Sequence, residues 1–225
     1  MRLSVVIPVL DEEACIGEQI NDLSQMEGID EVVVVDGGSA DRTRAVVEAS
    51  SARLVLARRG RGHQLNAGAR ASQGDALLFL HADVRLPPGA ASEVRGILGH
   101  RHAGAFRIRT VDPSGRHPLA PLLRLADLRS HLTRLPYGDQ ALFVRREAFE
   151  AAGGYPEQPL MEDLELSRRL ARLGPIARTG GRVEVSGRRF LARPVRTALM
   201  WNLLPLAYRL GVSPERLSRL YGVVR

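Results

Sequence analysis

The chain contains no lysine; all 32 of its Lys/Arg positions are arginine. It has a single cysteine, Cys15, which excludes an intramolecular disulfide and any cysteine-built zinc site. At its place in the first expected helix, that thiol reads as a small core residue rather than a reactive group. Aromatic residues make up only 4% of the chain, so the formal charge of +7 has no base-stacking partner. The arginines are spread through helices and loops, concentrating modestly after Arg168. Nucleic acid is therefore not an expected partner, and phosphorylated ligands or an anionic membrane surface make better use of the charge. No apolar run reaches the roughly 20 residues needed to span a bilayer. The N-terminus opens directly on an apolar strand with no room for a signal peptide. The expected location is the cytoplasm, with peripheral contact at the inner membrane face as an open alternative. Repeats, low-complexity tracts and linkers are also missing, so 225 residues predict one domain over 1–225.

What the chain does have is three apolar strands that each run into an acid. Leu3–Leu10 meets Asp11-Glu12-Glu13, Val32–Val35 meets Asp36, and Leu77–Leu80 meets His81-Ala82-Asp83. Unbroken Val/Ile/Leu runs are the mark of parallel strands buried on both faces. In open α/β sheets ligands bind beyond the carboxyl ends of such strands. Strand and helix alternate through residue 100. Strands are expected at Leu3–Pro8, Glu31–Val35, Arg53–Ala57 and Ala76–Leu80, with helices at Glu12–Met26, from Asp41, at His63–Ser72 and from Pro87-Pro88 to Leu98. That rhythm predicts a doubly wound sheet. The second half is less regular. It predicts strands at Ala105–Thr110 and Ala141–Val144, with short ones at Ile176–Arg178 and Val183–Val185. Helices are expected at Pro118–Leu132, Arg146–Ala152 and Asp163–Leu173, with a last one from Pro214.

Several of these acids fit two roles. Asp36-Gly37-Gly38-Ser39-Ala40-Asp41 sits at a strand-to-helix turn, as a ligand site or a plain capping turn. Asp83 suits a divalent cation bridging phosphates, or an N-cap for the next helix. His81 can ligate, hydrogen-bond a phosphate or sugar, or simply pack. Glu162-Asp163 opens a helix, where acids suit the macrodipole, but a carboxylate fixed there can also act as general base. The segment Thr197–Gly211, rich in leucine and flanked by arginines, reads as an interfacial helix, a core helix or a dimer contact.

Taken together, these motifs resemble the family-2 glycosyltransferases. The matching residues are Val5–Glu13, Val34–Thr43, Asn66-Ala67-Gly68, Leu80–Asp83 and Glu162-Asp163, in order over roughly residues 3–173. More narrowly, Arg61–Gly68, Leu80–Asp83 and Tyr137–Arg145 look like a compact bacterial branch labelled arsenosugar-biosynthesis-associated glycosyltransferases. The resemblance implies an α/β GT-A fold, a three-layer α/β/α sandwich with a mostly parallel central sheet. It divides the domain into a nucleotide-binding half (1–100), an acceptor and catalytic half (101–190) and C-terminal helices (191–225).

It also implies an inverting transfer from a UDP- or GDP-linked sugar to an acceptor hydroxyl, small-molecule or lipid-linked, with Mg²⁺ or Mn²⁺ as cofactor. Pro8, Asp11, Glu13, Asp36 and Asn66 would belong to the nucleotide pocket. Asp83 matches the last aspartate of the family's metal-binding D-x-D and would hold metal and diphosphate. Asp163 matches the catalytic base. His81, Asp139, Gln140, Glu162, Arg188 and Arg189 would contact donor sugar, diphosphate or acceptor. Two positions depart from the pattern: His81 replaces the first aspartate of D-x-D, and Asp11 stands where asparagine is usual. A homodimer is compatible with all of this. The competing readings are a non-catalytic nucleotide-sugar sensor and a nucleotidyltransferase. The latter would want a glycine-rich loop with a lysine after the first strand, where this chain has Asp11-Glu12-Glu13.

Overall fold

A computed structural model of the chain describes residues 1–112, 114–118, 120, 123, 127 and 135–221. The first apolar runs form β1 (Leu3–Val9), β2 (Glu31–Asp36), β3 (Arg53–Leu56) and β4 (Ala76–Phe79), all parallel to one another. Beyond them come β5 (Val84–Arg85), β6 (Ala103–Val111), β7 (Phe143–Arg145) and β8 (Ala177–Ser186). One eight-stranded sheet results, in the order β3-β2-β1-β4-β7-β6-β8-β5. β7 runs antiparallel to both β4 and β6, so the parallel block gives way to a mixed half.

Strand alternation sends side chains to two cores. Val5, Ile7 and Val9 meet Ile16, Ile20 and Leu23 of α1 (Ile16–Ser24) and Val94 and Leu98 of α4 (Ala90–Leu98). Val6, Val35, Leu77 and Phe79 face the other way. There they meet Leu65 of α3 (Arg61–Ala71), Phe149 of α5 (Arg146–Ala151), and Leu166 and Leu170 of α6 (Glu162–Leu173). Helices on both faces make three layers, as expected. Each such leucine, isoleucine or valine contributes about 1.5–3 kcal/mol on burial.

Two expectations are revised. The first helix begins at Ile16, not Glu12, because the N–H groups of Glu12 and Glu13 donate to Thr43 Oγ1 (2.8 Å) and Asp41 Oδ2 (3.1 Å). Those bonds draw the segment toward α2 (Thr43–Glu48) and away from the helix. The two short strands near 176–185 are one, β8, despite Gly180-Gly181. Its register against β6 shifts between Ala105 and Arg107, and Glu93 Oε1 accepts the N–H groups of Gly180 (2.6 Å) and Gly181 (3.1 Å) that the irregularity leaves over. The helix expected at Pro118–Leu132 lies largely outside the described residues. The chain then forms α7 (Arg188–Ala192), α8 (Pro194–Arg209) and α9 (Pro214–Tyr221). No helix among the described residues is long and apolar enough to cross a membrane.

Candidate active site

A cavity of about 580 Å³ opens beyond the carboxyl ends of β1 and β4, walled by the start of α6 on one side and by α8 on another. Pro8, His81, Asp83, Asp139, Glu162 and Asp163 all line it, so six of the expected site residues from four separate segments meet in one place.

The Glu162-Asp163 pair is held at the first turn of α6. Met161, the residue before it, has a left-handed backbone (φ 65°), a costly conformation for a residue with a Cβ. Two other non-glycine residues share that strain: Asp11 (φ 54°), directly after the cavity-lining Leu10, and Ala141 (φ 44°), two residues after the cavity-lining Asp139. Strain of this kind persists where the surrounding structure fixes it, and functional sites are where it collects. Asp163 takes a hydrogen bond from the Gly138 N–H, while its Oδ1 is shielded from solvent with no hydrogen-bond partner. Burial, then the neighbouring Glu162 charge, push its pKa up to about 7; Asp139 adds to the rise, and Arg61 and the Gly138 bond oppose it. Arg61 Nε stands 2.9 Å from Glu162 Oε1, an ion pair without an aligned N–H. Gly138 lies so close that a Cβ there would overlap both the Asp163 carboxylate and the His81 ring. Ser167, one turn along α6, donates to the Pro136 carbonyl at 2.7 Å, so the helix carrying Asp163 also anchors the loop that covers it.

At the nucleotide edge the acids behave differently. Asp36 is buried, and accepts from the Gly38 N–H (3.0 Å), the Ser39 N–H (3.1 Å) and Arg44 Nε (2.7 Å). Burial works against its charge, but the bonds from Ser39, Arg44 and Gly38 outweigh it and hold the carboxyl below its ordinary range. Asp11 Oδ1 accepts the Ala40 N–H at 2.8 Å, and Glu13 Oε2 accepts the Arg42 N–H at 2.9 Å. Asp11 and Glu13 stitch the loop after β1 to the loop after β2, Asp36 braces the second loop from within, and none of the three lines the cavity.

Asp83, half-buried in the cavity wall, accepts no hydrogen bond and forms no ion pair among the described residues. No cluster of three or more His, Cys, Asp or Glu among those residues is arranged to hold a metal. The donor set thus fits a hard cation bound through one carboxylate together with substrate phosphates and water, the usual Mg²⁺ arrangement, better than an all-protein cage. Cys15 is unsuited to reaction: burial and its hydrogen bond to Glu12 push the thiol pKa up to about 12.

Other expected site residues stand apart from the cavity. Asn66 makes two hydrogen bonds to one backbone residue, its Nδ2 donating to Tyr155 O (2.8 Å) and its Oδ1 accepting from Tyr155 N (2.9 Å). Gln140 is fully buried, with Oε1 accepting from Arg178 and Nε2 left without a hydrogen bond. Arg188 is exposed, and Arg189 shares helix α7 with it. The arginines that line the cavity are Arg61, Arg193 and Arg196. Sequence reasoning also missed Gln64, whose Nε2 donates to Val9 O (2.8 Å) and Val35 O (2.9 Å) and so ties the ends of β1 and β2 together. In the folded chain nearly every residue of Arg61–Asn66 grips another segment. Beside the bonds above, His63 Nδ1 lies 3.2 Å from Glu157 Oε1, and a Cβ on Gly62 would overlap the Pro156 carbonyl.

Residues 4–152 match the model of glycosyl transferase family 2. Among curated proteins, the chain is 38% identical over 96 residues to glucosyl-3-phosphoglycerate synthase of Mycolicibacterium paratuberculosis, covering 38% of this chain and 29% of that one. It is 30% identical over 164 residues to undecaprenyl-phosphate 4-deoxy-4-formamido-L-arabinose transferase of Pseudomonas aeruginosa, covering 66% and 48%. The chain thus spans about half, or less, of the length of these curated relatives. Among solved structures, glucosyl-3-phosphoglycerate synthase from Mycobacterium tuberculosis, in complex with Mn²⁺, UDP and glucosyl-3-phosphoglycerate, aligns with a TM-score of 0.58 at 27% identity. That alignment covers 82% of this chain and 70% of the other. The expected GT-A fold is therefore the fold observed. With the family model spanning well over half its residues, the chain belongs to glycosyl transferase family 2.

Proposed function

We propose that this protein transfers a sugar from a nucleoside-diphosphate sugar to an acceptor hydroxyl with inversion at the anomeric carbon, Asp163 serving as base. The observation that carries this reading is the Asp163 carboxylate at the cavity wall, with one oxygen unpartnered and a pKa near 7. A base of that strength is half ionised near neutral pH and suits removal of a hydroxyl proton as the acceptor attacks. Glu162 raises its basicity by like charge, and Arg61, paired with Glu162, moderates the effect.

The stitched edge formed by Asp11, Glu13, Asp36 and Gln64 shapes the platform for the nucleotide, with Pro8 on its cavity side. Asp83 is the residue that would hold a divalent cation, which when bound neutralises charge building on the departing diphosphate. Arg193 and Arg196 line the same cavity and add cationic help to that leaving group. His81 and Asp139 line the same cavity and are assigned to the donor sugar or the acceptor. UDP and Mn²⁺ bound to the mycobacterial synthase support a uridine nucleotide and a divalent ion here. The phosphoglycerate and undecaprenyl-phosphate named for the relatives support a phosphorylated acceptor, small or lipid-linked. The Arg61–Gly68, Leu80–Asp83 and Tyr137–Arg145 motifs favour the compact arsenosugar-associated branch.

A thermal-shift screen of UDP- and GDP-sugars with and without Mn²⁺ or Mg²⁺ tests this. The expected result is a metal-dependent rise in Tm for one donor class, lost in Asp83→Ala, with nucleoside diphosphate released on incubation. No stabilisation by any nucleotide sugar would overturn the reading.

A further inference from the structure

Helix α8 is apolar on two opposite faces. One face closes the cavity with Thr197, Met200 and Leu204, and Leu204 packs against Leu160 and Leu217. The helix is also pinned from α6's side by Tyr208, whose hydroxyl donates to Glu165 Oε2 at 3.2 Å. The other face carries Val195, Leu199, Leu203 and Leu206, continued by Leu210 just past the helix end, and these five are between 50% and 77% exposed. Their spacing of four, four, three and four residues puts all five on a single stripe of an α-helix. Asn202 is the polar residue within the stripe, and its amide is turned back onto the Ala198 carbonyl at 2.7 Å. Scattered exposed leucines need no explanation, but a continuous stripe of five over one helix does.

We propose that this stripe seats the protein on the surface of an anionic lipid bilayer, with α8 lying in the headgroup region. Charge decides the occupant. Helix α8 contains no acidic residue. Arg209 at its end and Arg216 and Arg219 on the packed helix α9 are all exposed, as is Leu220 beside them. Apolar side chains that enter the acyl boundary, bordered by arginines that meet phosphate headgroups, form the pattern of an interfacial helix. A second copy docking through the same stripe would bring the arginine borders of both copies together, an unfavourable like-charge contact. The stripe is too short to span, so the contact is peripheral. Because the opposite face of α8 walls the cavity, the bilayer would then lie about one helix diameter, roughly 10 Å, from the reacting groups. This inference stands on the stripe and its arginine border and does not depend on the chemistry assigned to the cavity.

The test is co-sedimentation of the full chain with vesicles of phosphatidylglycerol and phosphatidylcholine in equal parts, against phosphatidylcholine alone. A Leu199→Gln/Leu203→Gln/Leu206→Gln variant provides the control, since these side chains are exposed and its circular dichroism and Tm should match wild type. We expect wild type to sediment with the anionic vesicles and at least tenfold less with neutral ones, and the triple variant to lose tenfold or more of its binding. Failure of wild type to bind anionic vesicles would overturn the proposal, as would equal binding by the triple variant. Light scattering supplies the last arm: a wild-type dimer that the triple variant dissolves, without vesicle binding, would assign the stripe to a second copy instead.

Discussion

In the parallel half of the sheet Asp36 sits among donors, with the Gly38 and Ser39 N–H groups and the Arg44 guanidinium all directed at it. At the start of α6, by contrast, Asp163 has one oxygen without a partner and a like charge beside it. Burial works against the charge of both carboxylates, yet the first is held ionised and the second is pushed toward neutrality. Burial alone therefore does not decide what an acid can do. The donors supplied to it decide, and they separate an acid that holds a loop in place from one able to take a proton.

The largest effect expected from breaking that contrast comes at Asp163. An Asp163→Asn variant should lose about 10²- to 10⁴-fold in turnover. Since the folded pKa is raised from 3.8 to about 7, the unfolded chain loses this proton first, and wild-type stability falls as pH climbs through that window and then levels. The asparagine variant lacks this decline, so its Tm should exceed that of wild type above pH 7. Wild-type kcat/KM should rise with pH to a plateau above about 7, as the base ionises. Near-wild-type turnover by a variant that still binds nucleotide would remove the distinction between the two acids.

Gly138→Ala should come next. Its Cβ would displace the Asp163 carboxylate and the His81 ring, at a cost of about 1–3 kcal/mol in stability and a clear drop in turnover. Thermal unfolding and a turnover assay read both; an unchanged enzyme would mean that the loop is not fixed against Asp163.

The smallest of the three is Asp36→Asn. Arg44 is well exposed, so its ion pair adds little, and the main loss is the charge on the acceptor of the loop N–H groups, about 1–2 kcal/mol. The carboxyl is lowered in the fold, so its contribution is present above the ordinary value and is lost as pH falls through the folded one. Acid unfolding of wild type should therefore show a component missing from the variant. Turnover at neutral pH should change far less than in Asp163→Asn.

The parallel half was readable because buried strands have a pattern: β1, β2 and β4 fall where the Val/Ile/Leu runs stood, and the acids after them mark the ligand edge. The mixed half was harder to read. β8 passes through Gly180-Gly181 only because Glu93, nearly ninety residues away in sequence, receives both N–H groups. Residue type located Asp163, Glu162, Asp83 and His81, and all four reach the cavity. Residue type could not separate Asp11 and Glu13 as loop braces from acids that face a ligand, because their partners Ala40 and Arg42 act through backbone N–H groups that carry no sequence signal. Asn66 looked like a ligand contact for the same reason: its partner is the backbone of Tyr155. Arg193 and Arg196 went unnoticed because only the fold of α8 over the cavity gives them a role.

The crossed bonds between the loops after β1 and β2 also bear on time. With Asp11 on Ala40, Glu13 on Arg42 and Ser39 Oγ taking the Asp11 N–H at 3.0 Å, that edge is already ordered before a ligand arrives. An incoming nucleotide has no loop there to recruit, so donors of different fit should arrive at similar rates. Selection among them would then show in how long each one stays.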